Sequence, residues 1–310
     1  MNYGLPYLGS KSKIAESIVA LFPVADNFYD LFAGGCAITH ALMVRNRDLF
    51  HNGFKNYILN DINDTPKLFL DAIQGKYKNE KRWISREVFF DNLKKDKPDA
   101  YIKWIWSFGN SGKNYLFSKD LELIKKAFHY VVMFNDWTFF EELYTYDYLM
   151  KVLKEYGIDN SRIFLDLYKK EYQIGFGRKE HLRVIKWIQK NYLNKRYSFS
   201  ELQQLQQLER LERDYRDIDI LPNSVVYCDI PYKIEGAKDY LEKEFDHKSF
   251  WNWAEAQKQA VFVSEYNYTG GNPNKWQIVY EKEKISLKTT NKGKRNINIE
   301  RVFWNKKLPK

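Results

Sequence analysis

The sequence predicts an α/β fold built on a parallel sheet, interrupted by a long insert of different character. Three observations predict it. The run Val225-Val226-Tyr227-Cys228 is short and apolar, as in a strand buried on both faces, and it stops at Asp229-Ile230-Pro231-Tyr232. The stretch from Asn27 to Ala37 reads as a strand, a small-residue turn at Gly34-Gly35 and a helix start. Tyr57-Ile58-Leu59-Asn60 reads as another short strand, ending at Asp61.

Taken along the chain, Lys11 to Phe22 reads as an amphipathic helix with Ile14, Ile18 and Leu21 on one face. The strand near Phe28, the glycine turn and a helix running through Leu42 and Val44 follow, then the strand that ends at Asp61. Residues 71–200 form the insert, with helical spacing in many places and basic–aromatic pairs such as Arg82-Trp83 and Lys186-Trp187. Leu202, Leu205, Leu208 and Leu211 recur every three residues, which predicts a surface helix packing one stripe on the sheet. The strand before Asp229 comes next, then a helix from Phe250 to Ala260 and a strand from Ala260 to Val263. Segments 276–285 and 299–304 alternate in polarity and predict a terminal hairpin. Residues 1–70 and 201–310 thus make one α/β domain around the insert.

In an open α/β sheet, ligands bind beyond the carboxyl ends of the strands. An acid followed by an aromatic ring at such a tip suits a flat ring bearing an amine. The acid accepts a hydrogen bond from the amine, and Tyr232 stacks on the ring; a nucleobase fits. A glycine turn, with an acid roughly 20–30 residues on at the next strand tip, suits an adenosine ribose. Each feature alone is also compatible with an ordinary strand end or tight turn.

Together they resemble a known family. Pro6-Tyr7-Leu8-Gly9-Ser10-Lys11, Asp30-Leu31-Phe32-Ala33-Gly34-Gly35, Asn60-Asp61-Ile62-Asn63, Cys228-Asp229-Ile230-Pro231-Tyr232 and Ser264-Glu265-Tyr266 are similar, in order, to motifs of the Dam-like, D12-class adenine-N6 DNA methyltransferases. The resemblance implies a Rossmann-like methyltransferase fold with an inserted, mostly helical target-recognition domain. It implies methyl transfer from S-adenosylmethionine to N6 of adenine in double-stranded DNA. By resemblance the catalytic residues are Asp229, Ile230, Pro231 and Tyr232. The cofactor residues are Tyr7, Lys11, Phe32, Gly34, Gly35, Asp61 and Asp229. The family usually carries two prolines after the catalytic acid, and this chain has Ile230 at the first. Its carbonyl can still accept from the target amine, but the stiffness of a proline is lost. Transfer to another exocyclic amine, such as cytosine N4 or an RNA base, and a DNA-binding protein with a decayed catalytic tip are the alternatives.

The insert's most suggestive segment runs from Trp104 to Tyr115. Its Gly109-Asn110-Ser111-Gly112-Lys113 turn could enter a groove, where Asn110 reads adenine and Lys113 reads guanine or phosphate, with Tyr115 beside them. Lys292, Lys294 and Arg295, in the hairpin connection, are candidates for phosphate contact. The formal charge of +10 and pI near 9.2 suit a polyanionic partner. Two cysteines without a disulfide pattern suit a reducing cytoplasm, and the few Cys and His residues have no zinc-site spacing. No apolar run suggests a signal peptide or a membrane span. A cognate restriction endonuclease would be a genetic partner of such an enzyme.

Overall fold

The structure, a computed structural model, describes residues 3–7, 9–45, 53–77, 79–134, 136, 138–139, 208–232, 245–268, 270, 272–289 and 295–310. The chain divides into two compact units. One comprises residues 1–4, 10–69 and 196–310, and the other comprises 5–9 and 70–195.

The first unit is a mixed α/β structure on a seven-stranded sheet. Its strands are β1 (Asn27–Asp30), β2 (Asn56–Asn60), β3 (Leu208–Leu211), β4 (Ser224–Asp229), β5 (Ala260–Glu265), β6 (Gln277–Thr289) and β7 (Arg295–Trp304). They lie in the order β3-β2-β1-β4-β5-β7-β6. The first five are parallel neighbours, whereas β7 runs antiparallel to both β5 and β6. This architecture is consistent with a methyltransferase fold. β1, β4 and β5 are buried along nearly their whole length, which explains their near-continuous apolar sequence.

Helices α1 (Ala15–Val19), α2 (Ala37–Arg45) and α6 (His247–Ala256) belong to this unit. Asp246 caps α6, its carboxylate accepting from the Ser249 amide at 2.9 Å. Phe250, Trp251 and Ala254 of α6 pack into a core with Val226, Val261, Val263, Trp276 and Phe303. Helix α3 (Thr65–Ile73) spans the division.

Two expectations are corrected. The helix expected over 11–22 is helical only in α1. Residues before it turn instead, because the Ser12 hydroxyl accepts the Tyr3 amide at 2.7 Å and the Ile14 amide bonds the Lys11 carbonyl at 2.9 Å. The leucine stripe expected as a helix to residue 211 is strand β3 over its last four residues, in parallel register with β2; residues 202–207 lie outside the described residues. The terminal hairpin forms as expected, with Glu281 opposite Arg301.

In the second unit the described elements include α4 (Arg86–Leu93), a π-helical turn (Tyr101–Ile105), a 3-10 turn (Phe108–Asn110) and α5 (Lys119–Phe134). Ser85 caps α4 through the Val88 amide. Among the described residues, no helix is long and apolar enough to cross a membrane, and no cluster of three His, Cys, Asp or Glu could hold a metal ion.

Candidate active site

The sheet gathers carboxylates at one end. Asp30 closes β1, Asp61 follows β2, Asp229 closes β4 and Glu265 closes β5. Because these strands are parallel and in register, their carboxyl ends share one edge. β7 arrives antiparallel, with Arg301 opposite Glu265, so Glu300 enters the same region from a distant part of the sequence.

Around the first two acids the backbone is tightly specified. The Gly34 amide donates to Asp61 Oδ2 at 2.8 Å, and the Asn63 amide and side chain donate to Asp61 Oδ1 at 2.9 and 3.1 Å. A carboxylate offers about four acceptor positions. Three are taken, so Asp61 keeps acceptor capacity toward a hydroxyl. Burial raises its pKa, against the pull of those hydrogen bonds. The turn needs left-handed backbone at Gly34 (φ 48°) and Cys36 (φ 58°). Gly4 packs on it so closely that a Cβ there would stand 2.3 Å from the Gly35 carbonyl oxygen. The Gly4 amide donates to His40 Nδ1 at 2.7 Å, tying the N-terminal segment to α2. Asp30 accepts from the Thr39 hydroxyl at 2.7 Å. Burial pushes its pKa up to about 7, with Asp229 and Asp61 adding to the rise. Phe32 is half-buried against Tyr215 and Phe250, and Ile62, next to Asp61, is 69% exposed.

A second cluster surrounds Asp229. Lys11 Nζ lies 2.7 Å from Asp229 Oδ1 and 3.5 Å from Glu300 Oε1. The ammonium also sits 4.5 Å from the centroid of the Tyr232 ring. The Tyr232 hydroxyl donates to Glu300 Oε1. Its ring meets Tyr266 edge-on at 4.5 Å, and Arg301 donates to the Tyr266 carbonyl. The side chains of Lys11 and Glu300 are 6% and 3% exposed, whereas that of Asp229 is 21% exposed. Of these three ionic side chains Asp229 is thus the most open to a ligand. Burial raises its pKa to about 6, Lys11 opposes the rise and Glu300 adds to it. Burial disfavours the Lys11 ammonium, but Asp229 and Glu300 more than offset this and hold its pKa above the usual value. Ile230 is buried, and Pro231 is half-buried.

The first unit thus holds Lys11, Phe32, Gly34, Gly35, Asp61, Asp229, Ile230, Pro231 and Tyr232, while Tyr7 belongs to the second, where its ring lies 5.6 Å from that of Trp104. In the second unit the expected groove-entering turn is held from inside. Asn110, at φ 53°, donates its side-chain amide to the Trp104 carbonyl at 3.1 Å, and the Gly112 backbone amide donates to the Ser107 hydroxyl at 2.9 Å. Tyr115 is a correction to a surface role. Its ring is buried beside the Arg86 guanidinium, and its hydroxyl donates to the Ile84 carbonyl at 2.6 Å. The exposed side chains of the turn are Phe108, Lys113 and Asn114. Lys292 and Lys294 lie outside the described residues, and Arg295 is placed by its backbone only, as the first residue of β7.

The sequence reading did not single out Glu300. The available signal was its phase: in the alternating terminal strand it falls with Val302, which is fully buried. An acid at that position is costly unless paired.

A protein-family model described as D12 class N6 adenine-specific DNA methyltransferase matches residues 7–302. No curated protein matches the chain.

Proposed function

The chain belongs to the D12 class N6 adenine-specific DNA methyltransferases, and from that premise we propose that the strand tip at Asp229–Tyr232 is where the target adenine is received. The enzyme methylates adenine N6 in DNA; the residue roles that follow are our reading. The observation that carries it is Asp229. It is a carboxylate at a strand end, open to a ligand while its ionic partners are sealed, with an aromatic ring three residues on.

An adenine amine is a poor nucleophile because its lone pair is delocalised into the ring. The Asp229 carboxylate accepts one amine proton in a hydrogen bond and the Ile230 carbonyl accepts the other. The nitrogen then moves toward tetrahedral geometry and its lone pair becomes available. Tyr232 stacks on the base, which has left the duplex to reach the tip. Pro231 restricts the backbone between the two. Asp229 acts as carboxylate, and most of the rate comes from positioning.

S-adenosylmethionine, the donor the family implies, supplies an electrophilic methyl group on a sulfonium. The residues fit it. Asp61 has acceptor capacity for a ribose hydroxyl, the Gly34–Gly35 turn brings backbone close, and the exposed Ile62 beside Asp61 offers an apolar face for a base. Phe32 and Lys11 are the other proposed contacts, and Tyr7 is proposed from the family resemblance alone.

We assign target recognition in double-stranded DNA to the second unit, with Lys113 and Asn110 as base-reading candidates and Tyr115 as the residue that holds their turn. Lys292, Lys294 and Arg295 are proposed phosphate contacts. A paired restriction endonuclease remains part of this proposal.

Long-read sequencing of plasmid from cells expressing the protein tests the reading. Modified adenines in one short sequence context are expected. Unmodified DNA, or modification of cytosine, overturns it.

A further inference from the structure

We propose that Glu300 is a positioning residue for methyl transfer: it is the second acceptor onto which the Lys11 ammonium moves when a target amine takes Asp229, and it fixes the Tyr232 hydroxyl meanwhile. The proposal rests on the reading of Asp229 as the acceptor of the target amine.

The geometry poses a conflict that needs such a residue. Lys11 Nζ lies on Asp229 Oδ1 at 2.7 Å, and Asp229 is the group that must accept from the amine. A target arriving at Asp229 therefore competes with an ammonium already there. Stripping a buried ammonium from its carboxylate, with nowhere for it to go, would leave the Lys11 charge uncompensated. Glu300 removes that cost. Its Oε1 is 3.5 Å from the same Nζ, and an ammonium has three donors to share between the two carboxylates. Closing from 3.5 Å to the roughly 2.8 Å of a charge-assisted hydrogen bond is a small side-chain motion. Glu300 is fixed by β7 and almost fully buried, so water does not replace it as acceptor.

The same carboxylate oxygen accepts from Tyr232. Lys11 also lies over the Tyr232 ring, so the ammonium can shift between the acids while staying against that ring's face. Ammonium, ring and both carboxylates thus form one connected cluster. Two carboxylates and one ammonium carry a net negative charge, which matches a site that must accept protons in hydrogen bonds.

The test compares Glu300→Gln and Glu300→Asp with wild type in single-turnover methyl transfer from S-adenosylmethionine to plasmid DNA across pH 5–9, with Asp229→Ala alongside and cofactor affinity measured for each. Glutamine keeps the size and loses the charge; aspartate keeps the charge and loses a methylene. We expect Glu300→Gln to lower the plateau rate about tenfold or more, the range for losing a hydrogen bond to a charged group. Its acid limb should lie at lower pH than that of wild type, because the negative charge that resists Asp229 ionisation is gone. Glu300→Asp should outperform Glu300→Gln and keep the wild-type acid limb. A packing role predicts the reverse ranking, and that ranking overturns the proposal, as does a Glu300→Gln enzyme with wild-type rate and limb. If the glutamine variant does not fold, a displaced acid limb in Glu300→Asp overturns it. An active Asp229→Ala enzyme defeats the underlying reading; an inactive one beside a wild-type-like Glu300→Gln defeats only the role of Glu300.

Discussion

Replacing Asp30 by asparagine should stabilise the protein at alkaline pH and leave it nearly unchanged in acid. Asp30 is 1% exposed at the end of β1 and accepts from Thr39 Oγ1 at 2.7 Å. Burial raises its pKa from 3.8 to about 7, and the nearby Asp229 and Asp61 contribute in the same direction. The unfolded chain therefore loses this proton near pH 4 while the folded chain holds it until about pH 7. Between those values the folded state binds more protons, so stability falls as pH rises, and above about pH 7 the loss is complete. At 1.36 kcal/mol per pH unit, the ionised carboxylate costs the fold on the order of 4 kcal/mol. Asparagine accepts from Thr39 as the acid does and presents an amide where the acid presents a proton. Asp30→Asn should thus gain a few kcal/mol at pH 8, a Tm rise of several degrees for a chain of this size, shrinking toward zero at pH 4. Scanning calorimetry of both proteins at pH 8 and pH 5 measures this. A variant less stable at pH 8, or shifted equally at both pH values, would refute the reasoning.

Four further outcomes are expected, two at the strand tips and two in the second unit. The methyl-transfer rate should fall as pH drops through about 6, where Asp229 takes up a proton, while the folded protein stays stable there; a rate that is flat from pH 8 to pH 5 would show that Asp229 need not be ionised. Asp61→Ala should weaken cofactor binding ten- to a hundredfold, from about 1.5–3 kcal/mol for hydrogen bonds to a charged group. It should also lower Tm, because the Gly34 and Asn63 amides lose their acceptor; unchanged cofactor affinity by titration calorimetry removes Asp61 as ribose ligand. Lys113→Ala should relax discrimination between cognate and non-cognate duplexes in a salt-series binding assay, since base-edge contacts carry sequence information. Tyr115→Phe should instead lower stability by about 1 kcal/mol through loss of the Ile84 hydrogen bond.

Four of the five parallel strands were legible because each is a short apolar run with an acid at its end, and β1, β4 and β5 are buried in keeping with that pattern. α2 follows its apolar stretch as expected, whereas α6 runs His247–Ala256 instead of 250–260, because the Asp246 cap starts it earlier and Ala260 already belongs to β5. β3 was not legible. Leucines three apart satisfy a helical stripe, yet the last four residues of that stripe pair along β2, a tertiary demand that four residues do not encode. The same limit applies to α1, where the Ser12 hydroxyl is claimed by the Tyr3 amide. At the site, Asp229 and Tyr232 announced themselves by adjacency in sequence. Glu300 did not, because only the antiparallel arrival of β7 brings it to Lys11. Tyr115 misled in the opposite direction: its basic, aromatic, glycine-rich neighbourhood suggests a surface, while its hydroxyl is spent on an interior carbonyl.

The central claim, that Asp229 receives the adenine amine, is tested most directly by methyl transfer from labelled S-adenosylmethionine to DNA. Wild type and Asp229→Ala are compared, with the product nucleosides resolved by mass spectrometry. The wild type should yield N6-methyladenine. The variant should fall below about one per cent of that rate, a loss of roughly 3 kcal/mol or more, while its cofactor affinity stays within about tenfold. Residual N6-methyladenine formation near the wild-type rate in Asp229→Ala would contradict the account.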